Sequence, residues 1–190
     1  MNDQHRVVSS ESEELILVDR DDNEIGFAAK ADAHNGAGIL HRAFSLFLFN
    51  DAGELLLQQR ARSKRLWGGY WSNSCCSHPR RGETLEVATT RRLLDELNCQ
   101  AELEYVYRFC YAAKFGDLGS ENEFCHVFLG RPSDEIQPNE SEIAGVRYVS
   151  ASALAEEFEQ QPDRFTPWFK QEWRELNRNY AGQLARYCTP

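Results

Sequence analysis

A thiol and an imidazole two residues apart, Cys76 and His78, stand in the run Asn73-Ser74-Cys75-Cys76-Ser77-His78-Pro79. A helical stretch with acids at both ends, Glu83 and Glu96, follows at once. A thiolate accepts protons and attacks electrophiles, and neighbouring cations favour it. From Arg60 to Arg92 the chain places Arg60, Arg62, Lys64, Arg65, Arg80, Arg81, Arg91 and Arg92 against only Glu83 and Glu86. A solvated basic face has the same composition. Inside an otherwise acidic chain, though, this density suits a small polyanion such as a phosphate or diphosphate. The Cys76 thiolate is therefore expected to be favoured. Cys75 points elsewhere if the loop is extended and is expected to be an inert thiol.

Metal-ligand chemistry falls on His34, His41, His78, Glu121 and Glu123. In a strand the side chains alternate, so Glu121, Glu123, Cys125 and Val127 share one face while Phe124, His126 and Phe128 take the other. Two carboxylates on an otherwise apolar face are costly unless a cation meets them. Three imidazoles and two carboxylates make a mixed nitrogen and oxygen set for a divalent ion, suited to six-coordination. Spacing alone does not join them, and a single histidine is equally explained as a core or surface residue. Parity removes His126, and His5 lies in a polar N-terminal arm.

The elements that must position these groups are legible as a mixed α+β pattern. Residues Met1 to Glu14 are polar and expected to form a flexible arm, with 15–190 as a single domain, since 190 residues suit one core. Leu15–Val18 and Ile25–Ala28 flank a polar turn as a hairpin. Ala33–Gly38 is expected to be a flexible connection, and Ala43–Phe49 a buried strand. Leu55–Arg60 is expected to fold back on that strand across the Asn50–Glu54 turn. The glycines of Trp67-Gly68-Gly69-Tyr70-Trp71 allow close backbone approach. Thr84 caps a helix running to Leu97, on which Arg92 and Glu96 share a face. That spacing is expected to leave Glu96 at the helix end and out of the core. Strands follow at Leu103–Phe109, Glu121–Leu129 and Val146–Val149. The last helices are Ser152–Phe158 and Pro167–Asn179, the latter with Thr166 as N-cap.

A net charge of −9 argues against a general nucleic-acid binder. No signal-like opening and no apolar run near the ~20 residues of a spanning helix are seen, so no membrane association is expected. With no C-x-x-C pair among six cysteines, reduced thiols and a cytoplasmic protein are expected. No protein partner is evident.

Taken together, several motifs resemble the type 1 isopentenyl-diphosphate delta-isomerases, a family with the Nudix fold. They are His41 before Ala43-Phe44-Ser45, Arg60 to Lys64, Trp67 to Pro79, Gly82-Glu83, Arg91-Arg92 with Glu96, Glu121-Asn122-Glu123 and Pro167-Trp168. N-S-x-C-x-H-P with a later E-N-E is far more specific than either half, and the match spans nearly the whole chain. The resemblance implies a Nudix-like mixed sheet with flanking helices and the interconversion of isopentenyl and dimethylallyl diphosphate through a tertiary carbocation. It implies that His34, His41, His78, Glu121 and Glu123 hold a divalent ion, with manganese, zinc and magnesium all open. It makes Cys76 and Glu123 the acid/base pair, with Tyr111 assisting Glu123 and Trp168 facing the carbon skeleton. Arg60, Lys64 and Arg92 would hold the diphosphate, and Glu96 a magnesium ion bridging to it. The stretch departs from the usual Nudix signature at Ser77, Arg92 and Asn98, where glycine, glutamate and glycine are usual. Arg92 turns a metal-holding carboxylate into a cation, which weakens the rival reading of a Nudix hydrolase. A noncatalytic phosphate-binding module would explain the cations but not five metal-ligand side chains.

Overall fold

The computed structural model describes residues 6–188. Residues 1–5 of the expected arm, His5 among them, lie outside this range. Residues 6–13 form no helix or strand and run against the domain, with Val8 buried and its carbonyl accepting from Arg80 and Arg92.

β1 (Glu14–Val18) and β2 (Glu24–Ala29) form the expected antiparallel hairpin. Asp19 closes its turn by accepting from the N–H groups of Asp21 at 2.9 Å and Asn23 at 3.0 Å, the local bonding for which Asp is favoured in turns. The connection to β3 (His41–Leu48) opens with a one-turn helix, α1 (Lys30–Ala33).

Strand β3 is the axis of the larger sheet. It pairs in parallel with β8 (Gly119–Pro132) from His41↔Glu123 to Leu48↔Gly130. Its other edge meets β1 at His41 and β6 (Cys75–Ser77) further along. β7 (Ala101–Phe115) lies antiparallel on β8 and completes the order β2-β1-β3-β8-β7. Both faces of β3 are covered, which is why it reads as a continuous apolar run. Phe44, Leu46 and Leu48 pack with Ala88, Leu93 and Leu97 of α2 (Leu85–Leu97). Ala43 and Phe47 pack with Cys125, Val127 and the Phe169, Trp173 and Leu176 side chains of α4 (Pro167–Asn179). The remaining helices are α3 (Ala151–Gln160) and α5 (Ala181–Leu184), with a 3-10 turn at Pro162–Arg164.

The expected β3–β4 hairpin is not formed. After a single bridge, Phe49↔Leu55, β4 (Leu55–Arg60) leaves for a second sheet between β5 (Trp71–Ser72) and β9 (Ile143–Val149). β8 on one edge of β3, and β1 with β6 on the other, already use its backbone groups. The loop from β4 to β5 folds tightly, and a Cβ on Gly68 would lie 2.8 Å from the carbonyls of both Arg62 and Lys64. Glycine is required there for close approach.

Thr84 caps α2, its hydroxyl accepting from Val87 N–H at 3.2 Å. Asn98 ends the helix at φ 50°, a left-handed turn that asparagine tolerates. Glu96 is not at an exposed helix end as expected. It is 2% exposed, because Arg92 on the preceding turn supplies the counter-charge that burial demands. Thr166 stands at the cap position of α4, but its side chain makes no cap bond and lies 2.9 Å from Ser72 Oγ. Among the described residues, no helix is long and apolar enough to cross a membrane.

Candidate active site

Four chain segments meet at the start of β3. The parallel register sets His41 directly beside Glu123, and Glu121 lies two residues earlier on the same face of β8. β6 runs antiparallel to β3 and delivers His78 from its end, while α1 delivers His34. The three imidazole centroids lie 4.8–5.3 Å apart. One donor atom from each of the five side chains falls within 4.8 Å of the others. Parity holds for the excluded residue too, since His126 pairs with Asp22 on the opposite face at 3.0 Å.

The local bonding prepares this cluster for a cation. His34 Nδ1 lies 2.7 Å from the Lys30 carbonyl and His41 Nδ1 2.7 Å from that of Ile39. A carbonyl only accepts, so both rings carry a proton on Nδ1 and turn Nε2 inward, that of His34 onto Glu121 at 2.8 Å. His41 Nε2 is buried without a hydrogen-bond partner, 3.8 Å from Glu123 Oε1. Burial and the His34 charge hold His41 down to about 4, and burial with His41 and His34 also depresses His78. Burial lowers His34 as well, but the Glu121 carboxylate outweighs it and leaves His34 raised, so a divalent ion at these three imidazoles and two carboxylates would take the place of the His34 proton.

The two carboxylates differ in environment. Glu121 is penalised by burial, but His34, 2.8 Å away, holds it below the usual carboxylate range. Glu123 is raised well above that range by burial and by the Glu121 charge. Its Oε1 lies 2.8 Å from His78 Nε2, and its Oε2 accepts from the Tyr111 hydroxyl.

Cys76, Tyr111, Glu123 and Trp168 face one cavity of about 640 Å³, counting its open mouth. Trp168 Nε1 donates toward Cys76 Sγ at 3.3 Å and Ser72 Oγ at 3.1 Å. The Cys76 thiol donates to Asn73 Oδ1 at 3.2 Å. The expected thiolate is not favoured. Burial pushes the Cys76 thiol up to about 12, outweighing the Arg60 charge and the Ser72 and Trp168 hydrogen bonds that oppose it. Cys75 is fully buried in the core under α2, as expected.

Arg60, Lys64 and Arg92 all line the same cavity. Arg60 also stands over the Trp168 ring, 5.4 Å from its centroid. Arg65 of the basic run and Lys30 join them there, and Lys30 was not singled out in the sequence because only the fold sets it beside residues 60–92. Lys30 is depressed by burial and by the Lys64 and Arg92 charges. Glu96 does not line the cavity. It accepts from Arg92 Nε at 2.8 Å and again from Nη2.

Comparison with known proteins gives the family and the fold. Residues 39–169 match the NUDIX domain. The chain is 40% identical over 175 residues to Isopentenyl-diphosphate Delta-isomerase 1 of Photorhabdus laumondii, covering 91% of this chain and 99% of that one. It is 46% identical to Isopentenyl-diphosphate Delta-isomerase of Burkholderia multivorans, covering 83% of this chain and 89% of that one. The crystal structure of DR0079 from Deinococcus radiodurans superposes with a TM-score of 0.64 at 24% identity, covering 78% of this chain and 90% of that one. The NUDIX domain of Shewanella oneidensis NrtR, complexed with ADP ribose, gives a TM-score of 0.55 at 17% identity, covering 76% of this chain and 90% of that one. The latter two show the fold alone. With its Nudix domain and with relatives matched over nearly their full length, this chain belongs to the isopentenyl-diphosphate delta-isomerase family of the Nudix fold.

Proposed function

We propose that the protein interconverts isopentenyl diphosphate and dimethylallyl diphosphate, the isomerisation that supplies isoprenoid precursors. The observation that carries this reading is the cavity itself. Two proton carriers, Cys76 and Glu123, line it together with an indole and a cluster of cations.

Moving a double bond by one carbon requires a proton delivered at one end and another removed beside it. Glu123 and Tyr111 share a hydrogen bond and hold the proton to be delivered to the terminal alkene carbon. Cys76 takes the other proton, so its own must leave first, an uphill step from a thiol near 12. The Trp168 N–H and the Arg60 charge oppose that cost. The face of the Trp168 ring offers its quadrupole to the tertiary carbocation, which water would otherwise trap. Arg60, Lys64 and Arg92 hold the diphosphate at the cationic end. His34, His41, His78, Glu121 and Glu123 would hold a divalent ion, manganese, zinc or magnesium, which when bound would supply positive charge beside the Glu123 carboxyl. Glu96, paired with Arg92, is the carboxylate that would hold a magnesium ion, which would supply positive charge for the diphosphate. Cys75, Cys76, Cys99, Cys110 and Cys125 are free thiols, which supports a reducing, cytoplasmic setting.

Incubation with isopentenyl diphosphate and each of the three divalent ions tests the reading. Dimethylallyl diphosphate is the expected product. Release of phosphate would favour hydrolysis, and no turnover with any ion would leave only binding.

A further inference from the structure

Glu142 lies in the turn just before β9 of the smaller sheet and is 4% exposed, yet its carboxylate reaches two cations of the cavity wall. Oε2 accepts from Lys64 Nζ and, at 3.1 Å, from Arg92 Nη2. Lys64 comes from the β4–β5 connection and Arg92 from α2, so one oxygen ties three elements together. Its backbone is fixed on both sides. The Glu142 N–H donates to the Asn139 carbonyl at 2.9 Å, and the Glu142 carbonyl accepts from Ala61 N–H at 2.9 Å. Those cations also hold the carboxyl charged against the cost of burial.

The arrangement is asymmetric. Arg92 has a second acid, Glu96, but Glu142 is the acid that Lys64 meets. Lys30 on the same wall adds a like charge that repels both. A lysine ammonium on a flexible stem moves out to water when nothing holds it. We propose that Glu142 is a positioning residue that fixes Lys64 against Arg92, so that ammonium and guanidinium address one diphosphate together. This rests on the reading that the cationic end of the cavity takes a diphosphate.

The test is calorimetric titration of inorganic pyrophosphate into the full chain, with steady-state kinetics on isopentenyl diphosphate alongside. Glu142→Gln is expected to weaken pyrophosphate about tenfold and to raise KM in step, with kcat within about threefold. The double variant with Lys64→Met is expected to bind no more weakly than Lys64→Met alone, because Glu142 acts through Lys64. Pyrophosphate binding by Glu142→Gln as tight as that of the wild type, or tighter, overturns the proposal and leaves Glu142 a mere counter-charge. Additive losses in the double variant overturn it as well. A wild type that binds no pyrophosphate overturns the diphosphate reading beneath it. If Glu142→Gln does not fold, Glu142→Asp keeps the charge and shortens the reach. A loss of about fivefold is then expected, and unchanged affinity overturns the proposal.

Discussion

The Trp168 indole N–H points at the Cys76 sulfur across 3.3 Å, joining residues 92 positions apart in the chain. That donor favours the thiolate, while burial favours the thiol. Trp168→Phe removes the donor and leaves a smaller ring with a weaker quadrupole, so the titration of Cys76 reports the donor and kcat reports both losses. The pH at which Cys76 becomes reactive toward iodoacetamide should therefore rise, and kcat should fall by about tenfold or more, the worth of one charge-assisted hydrogen bond plus the weakened ring face. An unchanged alkylation profile would show that the indole serves packing alone.

Removing a proton carrier should stop the chemistry without unfolding the domain. Cys76→Ala and Glu123→Gln are each expected to cut turnover by about 10³-fold or more, within the usual range for general acid–base groups. Tyr111→Phe leaves the carboxyl in place and should cost less, on the order of tenfold. Circular dichroism checks that the fold persists, and substantial turnover in either of the first two variants would contradict the assignment.

The cluster at the start of β3 should respond to divalent ions as a ligand site does. Its inward Nε2 atoms and paired carboxylates are best satisfied by a cation, so binding should stabilise the folded state by about 3 kcal/mol at a hundredfold excess over Kd. Differential scanning fluorimetry with zinc, manganese and magnesium reads this as a rise in Tm, and a chelator should reverse it. His41→Ala should abolish the rise. A full response in that variant would place the ion elsewhere.

Glu172 provides a pH signature independent of the reaction. It is fully buried on α4 beside Cys125 at 3.5 Å, and burial pushes it up to about 8 despite hydrogen bonds to Ser45 and Cys125. Between the ordinary carboxyl range and pH 8 the folded state holds a proton that the unfolded state releases. Stability should therefore fall with rising pH across that window, by about 1.4 kcal/mol per pH unit, and level off above it. Below the window the contribution is fully present. Denaturant melts of the wild type and Glu172→Gln at pH 5, 6.5 and 8 isolate the effect. Parallel pH dependences would show that Glu172 is already ionised.

The chain announces much of this site. Strand parity separates Glu121 and Glu123 from His126, and the run from Asn73 to Pro79 marks the loop that carries Cys76 and His78. What it does not announce depends on burial or on long-range pairing. Arg92 and Glu96 are visibly neighbours on a helix, but nothing local says that both are enclosed. The cations around Cys76 suggest an acidic thiol, yet desolvation reverses the sign. Leu55–Arg60 looks like a partner for β3, and only the competition of β1, β6 and β8 for the edges of β3 sends it elsewhere. Lys30 and Glu142 carry no motif, and their roles arise from where α1 and β9 begin.

The departure of β4 to its own sheet divides the anchoring of a substrate between two separate scaffolds. Arg60 and Lys64 ride at or just beyond the end of β4, whereas His41, Glu121 and Glu123 ride on the larger sheet. Arg92 alone reaches the head group from α2, which packs on the larger sheet. In the proposed reaction, the distance between head group and reacting carbons is then set by how the two sheets pack on their shared core, and the seam acts as a ruler.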